Sequence, residues 1–377
     1  MYIIIGADLV PTDSNIRNFI SGEMEGIISA ELKRVLNEAS YRIFNLETPL
    51  SDFENPIVKC GPNLHSPCLA INGYKAIGTD LLTIANNHIL DQGIEGFNST
   101  ISVLIDAGIH YVGGGDSINS ASQPFLFEFA GKMIGVYACC EHEFSCATDS
   151  SPGANPFDPL YSFDTVQELK NNSDYVIVLY HGGKEHYRYP SPQLQRICRR
   201  FAEKGADLVL CQHSHCIGAI ETFADSTILY GQGNFLFDRS ESEFWKTGLL
   251  VKLDDSLNVS LIPIVKNKNG VSLPDKEEEL HIINDLLLRS NEIINPDITK
   301  KKYDDFASKM TDYYLGSFKG KERLSFRIIN RLTKNRLRKY VLDRKYEKDE
   351  LLHLLNHLSC EAHIELVIRC LELKMKN

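Results

Sequence analysis

Tyr2-Ile3-Ile4-Ile5-Gly6-Ala7-Asp8 is an apolar run that closes on a carboxylate. Three consecutive β-branched side chains favour an extended backbone, and the absence of polar alternation calls for burial on both faces. The stretch therefore reads as a buried strand with its first polar residue at the strand's end. The same pattern recurs along the chain. Residues 42–46, 81–84, 111–112, 133–137, 175–179, 208–210 and 227–230 are short β-branched runs bounded by Gly, Asn, Asp or Pro. Between several of them lie helical stretches: residues 95–107 carry Phe97, Ile101, Leu104 and Ile105 at helical spacing, and residues 193–204 carry Leu194, Ile197 and Phe201. Residues 125–129, 248–253 and 259–264 add strands with no helix between them. Strands alternating with helices, plus extra β segments, predict a layered α/β core rather than a bundle.

Beyond about residue 270 the strand signal stops. Residues 280–294, 304–315, 323–342 and 348–374 predict helices, dividing the chain into residues 1–265 and a mainly helical region, residues 271–377. Charge divides with them. The first 270 residues hold 19 basic and 32 acidic side chains, and the remainder hold 21 and 18, within a net −10 for all 377 residues. A pI near 5.7 argues against a protein built to grip nucleic acid. An apolar share of 43% with 24% charged residues excludes wholesale disorder. No apolar run approaches the roughly 18–20 residues that cross a bilayer. The first residues lack the basic and apolar regions of an export signal, and the ten cysteines include no CxxC pair. A cytoplasmic chain with reduced thiols is expected.

The informative polar residues fall where strands end, the edge at which open α/β sheets bind ligands. Asp8 ends the first strand. Asn45 and Glu47 end the second, on one side if alternation holds. Asn86-Asn87-His88 follows the third, with Asp91 three residues on; His181-Gly182-Gly183 and His213-Ser214-His215 follow two later strands. Each cluster alone reads as a cap or turn. Together, two carboxylates, an amide and three imidazoles supply ligands for a divalent cation such as Mn, Zn or Fe, and leave His88 for proton transfer. Gly113-Gly114-Gly115-Asp116 lacks the Lys-Ser/Thr of a phosphate-binding loop and predicts a turn before a helix. Cys211 and Cys216, which flank the His-x-His pair, read as a small strand residue and a loop residue rather than thiolate ligands.

The ordered motifs Gly6-Ala7-Asp8, Asn45-Leu46-Glu47-x-Pro49, Ala85-Asn86-Asn87-His88-x-x-Asp91-x-Gly93, His181-Gly182-Gly183-x-Glu185, His213-x-His215 and Gly233-Asn234-Phe235-x-Phe237-Asp238 resemble the CapA family, the capsule or poly-γ-glutamate synthesis branch of the calcineurin-like metallophosphoesterases. The resemblance runs from about residue 1 to about residue 265. It implies an α+β fold, a four-layer α/β/β/α metallophosphatase-like sandwich with the helical region as a C-terminal extension, and a centre of two divalent ions. Carried over by position, Asp8 and His215 would hold one ion, Asn87, His181 and His213 the other, and Glu47 would bridge. Ions roughly 3.5–4 Å apart clamp the oxygens of a phosphoryl group. His88 would protonate the leaving oxygen with Asp91 orienting its ring, and Asn45, Glu185 and Asn234 would contact substrate or support the ligands. Val10 stands where the wider superfamily has a histidine, leaving the first ion one ligand poorer.

The resemblance implies a metal-dependent hydrolase, most simply a phosphoesterase, acting on an anionic small molecule or polymer. The alternative is a non-hydrolytic accessory of capsular or poly-γ-glutamate assembly that binds an anionic polymer. Eleven basic side chains fall between Lys319 and Lys345, with Leu324, Ile328, Leu332 and Val341 at near-helical intervals. The plain reading is a solvated helix face. The sharper one is contact with an anionic partner, such as a polymer or a phospholipid headgroup.

Overall fold

Ile3, Ile4 and Ile5 occupy the middle of an eight-stranded sheet, with none of the three reaching solvent. A computed structural model describes residues 1–237, 242–267, 270–320, 322 and 324–375; Asp238 of the last motif, with Lys321 and Arg323 of the basic segment, lies outside the described residues. The strand order of this first sheet is β16 (Gly270–Ser272), β15 (Val259–Asn267), β14 (Thr247–Asp254), β1 (Tyr2–Leu9), β2 (Tyr41–Asn45), β3 (Leu81–Thr83) and β4 (His110–Val112), with β13 (Asn234–Leu236) also pairing β1. β1 to β4 run parallel, and β14 to β16 form the antiparallel wing. The second sheet has six strands in the order β11 (Ile220–Phe223), β12 (Ser226–Leu229), β10 (Leu208–Gln212), β9 (Tyr175–His181), β7 (Lys132–Cys140) and β6 (Phe125–Phe129).

The period-two alternation of the second sheet produces the layering. Ile134, Val136, Ala138, Ile177, Leu179, Leu208 and Leu210 join the core shared with the first sheet. Their neighbours Tyr137, Cys139, Val176, Val178, Tyr180, Val209 and Cys211 point the other way, onto Val166, Leu169, Leu194, Cys198 and Phe201 of helices Ser162–Asn171 and Pro192–Glu203. On the first sheet's outer side, helices Ala30–Glu38, Ile71–Ile77 and Gly93–Ala107 contribute Leu32, Leu36, Tyr74, Ile77, Phe97 and Leu104 to the same apolar core. The result is the four-layer α/β/β/α sandwich expected from the motifs. Strands covered on both faces need no polar alternation, which is why their sequences read as continuous apolar runs.

Two features depart from the sequence reading. Residues 323–342 were expected as one helix, but the described part is split into Leu324–Leu332 and Arg336–Lys345, separated by left-handed backbone at Lys334 and Asn335. Residues 348–374 likewise divide at Cys360, whose extended backbone ends helix Lys348–Ser359 before Glu361–Met375. Apolar residues recur on both sides of each break and neither contains Gly or Pro, so the sequence alone did not reveal them. The chain falls into two compact units, Met1–Lys301 and Lys302–Asn377. Helix Lys276–Ile293 belongs with the sandwich: Ser290 Oγ accepts from the Ile220 amide at 2.9 Å and Arg289 Nε donates to the Gly218 carbonyl at 2.9 Å. The triple glycine forms a short strand, β5 (Gly114–Gly115), paired with β8 (Gly153–Ala154) before the single-turn helix Ile118–Ala121.

Candidate metal centre

Asp8 is placed by strand register. A one-residue shift between Ile5 and Asp8 lets β1 pair Asp8 with Asn45 of β2, while β13 sets Asn234 opposite Asp8 on the other side. Asn45 Nδ2 donates to Asp8 Oδ1 at 2.8 Å and lies 3.2 Å from His181 Nδ1. Its Oδ1 accepts from Asn86 Nδ2 at 3.0 Å, and Asn86 also donates to the Leu46 carbonyl and accepts from the His88 amide. One buried amide chain therefore ties together the ends of β1 and β2 and the turn carrying Asn87 and His88.

The second sheet brings the imidazoles. His181 is the last residue of β9, in register with Gln212 at the end of β10 and Cys140 at the end of β7. His213 and His215 follow β10 with φ of +80° and +54°. Left-handed backbone at two non-glycine residues is strained and is sustained by the surrounding packing. The ligand atoms of Glu47, His181 and His213 all lie within 4.8 Å of one another, as do those of Asp8, Glu47 and His215. His181 Nε2 is 3.1 Å from Asn87 Oδ1 and 3.3 Å from Glu47 Oε1. All six predicted ligands are thus gathered in one buried cluster.

The electrostatics of this cluster are unbalanced. Burial raises the Asp8 pKa, but the neighbouring His215 and His181 outweigh it and hold the carboxyl down to about 2. Burial opposes protonation of His215, yet Asp8 at 3.4 Å and the Asn234 amide oxygen at 2.8 Å lift it to about 9. Burial and the facing His181 push His213 well below the usual histidine value. Both oxygens of Glu47, Oδ2 of Asp8 and Nδ1 of His213 are buried without a hydrogen-bond partner. Burying a carboxylate with no hydrogen bond to either oxygen is costly, and for Glu47 the approach of His181 Nε2 at 3.3 Å offsets that cost only in part. The mixed nitrogen and oxygen donors around it suit a divalent cation of the Mn, Fe or Zn type. The residues present fit a metal.

His88 Nδ1 is 2.6 Å from Asp91 Oδ2, the pairing the sequence anticipated. The Leu64 amide donates to the same oxygen at 2.6 Å. Two groups missed in the sequence complete this edge. Lys59 ion-pairs with Asp91, and its Nζ lies 3.3 Å from His88 Nδ1. Glu143 accepts from Asn87 Nδ2 at 3.0 Å, orienting the amide oxygen toward His181. Both sit in loops without a motif, so no sequence signal marked them. Val10 packs with Leu64, Phe237 and Trp245. Apolar packing fills the position of the superfamily histidine, and the Trp245 ring lies 4.5 Å from that of His215.

Of the three residues expected to contact substrate or support the ligands, two take the supporting place. Asn45 is fully buried with its amide committed to Asp8 and Asn86, so it holds ligands in place. Asn234 is also buried and orients His215. Glu185 is exposed and makes no hydrogen bond to the cluster among the described residues.

The model of a family described as "Bacterial capsule synthesis protein PGA_cap" matches residues 12–239. The chain is 28% identical over 176 residues to "PGA biosynthesis protein CapA" of Bacillus subtilis, covering 45% of this chain and 46% of that protein. It is 25% identical over 221 residues to "Capsule biosynthesis protein CapA" of Bacillus anthracis, covering 54% of each. The chain thus spans about half the length of these curated relatives. Among solved structures, a phosphatase from Mycoplasma pneumoniae aligns with a TM-score of 0.44 and 17% identity over 71% of this chain and 94% of the other.

Proposed function

The chain belongs to the bacterial capsule synthesis protein family PGA_cap, and we propose that it is a metal-dependent phosphoester hydrolase with a dinuclear centre. The observation that carries this reading is Glu47: a buried carboxylate with neither oxygen hydrogen-bonded, set between the His181–His213 pair and the Asp8–His215 pair. Asp8, Glu47 and His215 would hold one divalent ion, and Glu47, Asn87, His181 and His213 the second. When bound, such a pair supplies Lewis acidity and neutralises charge on a phosphoryl group.

The chain's own residues do the rest. Asn45 and Asn234 orient Asp8 and His215, and Glu143 orients Asn87. Nδ1 of His88 donates to Asp91, whose other oxygen pairs with Lys59, leaving Nε2 as the ring nitrogen open to a substrate. His88 would donate a proton from Nε2 to the leaving alkoxide, a role worth about 10²–10⁴ in rate.

The names of the Bacillus relatives favour a second reading, an accessory component of polyglutamate assembly that uses the same centre to bind an anionic polymer. Metal analysis of the purified protein together with turnover of a generic aryl phosphate separates the two. The hydrolase reading expects two divalent ions per chain, turnover, and a 10²-fold or greater loss in His88→Ala with metal content unchanged. Metal without turnover of any phosphoester supports the polymer-binding reading. A protein that binds no divalent ion sinks both.

A further inference from the structure

Helices Leu324–Leu332 and Arg336–Lys345 form a hairpin in the second unit. Its polar joint is internally satisfied. Asn330, which is buried, donates to Asn335 Oδ1 at 2.8 Å and accepts from the Arg338 amide at 2.9 Å. Leu324, Ile328 and Leu332 follow one another at four-residue intervals and share one face of the first helix, with Ile329 at its edge. These four side chains are 70%, 54%, 78% and 49% exposed. Arg327 and Arg331 border the stripe, and the second helix adds Arg336, Lys339, Arg344 and Lys345 with an exposed Tyr340. Only Glu322 and Asp343 offset the eleven basic side chains between Lys319 and Lys345, and Glu322 is committed to Arg338 at 2.6 Å.

We propose that this hairpin docks the protein on an anionic phospholipid surface. The apolar stripe would enter the boundary between headgroups and acyl chains, while the long basic side chains reach back to headgroup phosphates. Both halves of the pattern are needed to choose the occupant. A soluble polyanion, such as polyglutamate or nucleic acid, would satisfy the charges and leave the stripe in water. A second copy of the chain would cover the stripe but bring two strongly basic segments together, at a repulsive cost. An anionic bilayer satisfies both. Among the described residues no helix is long and apolar enough to cross a membrane, so the contact is peripheral.

Sedimentation of the full chain with phosphatidylcholine vesicles, with and without phosphatidylglycerol, tests this directly. Binding is expected only to vesicles containing phosphatidylglycerol, and it weakens as salt rises. Ile328→Ser combined with Leu332→Ser should lower partitioning by tenfold or more, since each removes a buried aliphatic contact at the interface. Arg327→Glu with Arg331→Glu should lower it comparably. The substituted side chains are exposed, so circular dichroism should show an unchanged fold in each variant. The proposal is overturned by no sedimentation at low salt, or by equal binding to neutral vesicles. It is likewise overturned if the Ile328→Ser, Leu332→Ser variant binds as wild type, which marks a purely electrostatic polyanion contact. A wild-type dimer that this variant converts to monomer would assign the stripe to self-association.

Discussion

Lys266 carries an ammonium group that is buried without a hydrogen-bond partner, on β15 close beside Gly248 of β14. Burial pushes it down to about 7, although Asp8 pulls in the opposite direction. An unfolded lysine titrates near 10.4, so between about pH 7 and pH 10 the unfolded chain binds more protons than the folded one. Stability should therefore rise with pH across that window; below about pH 7 both states carry the charge and the full cost of burying it is felt. Lys266→Met removes the buried cation. Urea denaturation followed from pH 7 to pH 10 should give a higher midpoint than wild type at pH 7 and a flatter rise above it. A variant that keeps the wild-type slope would place the titration elsewhere. Lys266 also marks the limit of sequence reading at this scale. Asp8, Glu47, His181, His213 and His215 were legible because strand ends expose polar side chains at a common edge. Lys266, Lys59 and Glu143 were not, because their roles depend on loops and strands that meet these groups only in the folded chain.

At the scale of elements, the site depends on how closely the two sheets approach at the end of β4. Gly113 has a φ of +82°, and a Cβ there would lie 2.6 Å from the Ala85 Cβ and 2.8 Å from the Ala138 Cβ. Ala85 immediately precedes the Asn86-Asn87-His88 turn, and Ala138 lies on β7, so the contact spans both sheets. Gly113→Ala should cost about 2–5 kcal/mol, combining backbone strain with overpacking. Gly131 makes a clean control. Its φ is +73° and nothing lies within 4 Å of a Cβ there, so Gly131→Ala should show the strain alone, about 1 kcal/mol. Urea midpoints at unchanged slope measure both; equal losses would refute the steric argument. The triple glycine read as a turn in sequence because no local signal discloses which distant backbone approaches it. The breaks at Lys334-Asn335 and Cys360 escaped for a related reason. Apolar, helix-forming residues continue on both sides of each turn, and neither turn contains the Gly or Pro that would mark it.

For the whole molecule, every residue assigned to the metal centre, from Asp8 to Asn234, lies within Met1–Lys301, and so does the Lys59–Asp91–His88 cluster. The layered fold was legible because both sheets are built from buried runs. The unit boundary was not, because helix Lys276–Ile293 continues the helical pattern of the tail but hydrogen-bonds to the sandwich through Arg289 and Ser290. Under the membrane-docking proposal, charge gives this division a role. The first 270 residues carry 32 acidic against 19 basic side chains, so an anionic bilayer repels that portion. Screening confines this repulsion to about 8 Å at physiological ionic strength. Attachment to such a bilayer, as proposed for the basic hairpin with its apolar stripe, would then rest on contacts made at the surface itself. The proposed hydrolase activity and the proposed attachment are therefore predicted to be separable. A chain ended at Ser317, which keeps helix Pro296–Ser317 whole, should retain the cooperative urea transition, the bound divalent ions and the aryl phosphate turnover of the full chain. It should also lose binding to vesicles containing phosphatidylglycerol. Loss of metal or of cooperative unfolding on truncation would mean that the second unit completes the first, and retained vesicle binding would place the membrane contact on the sandwich.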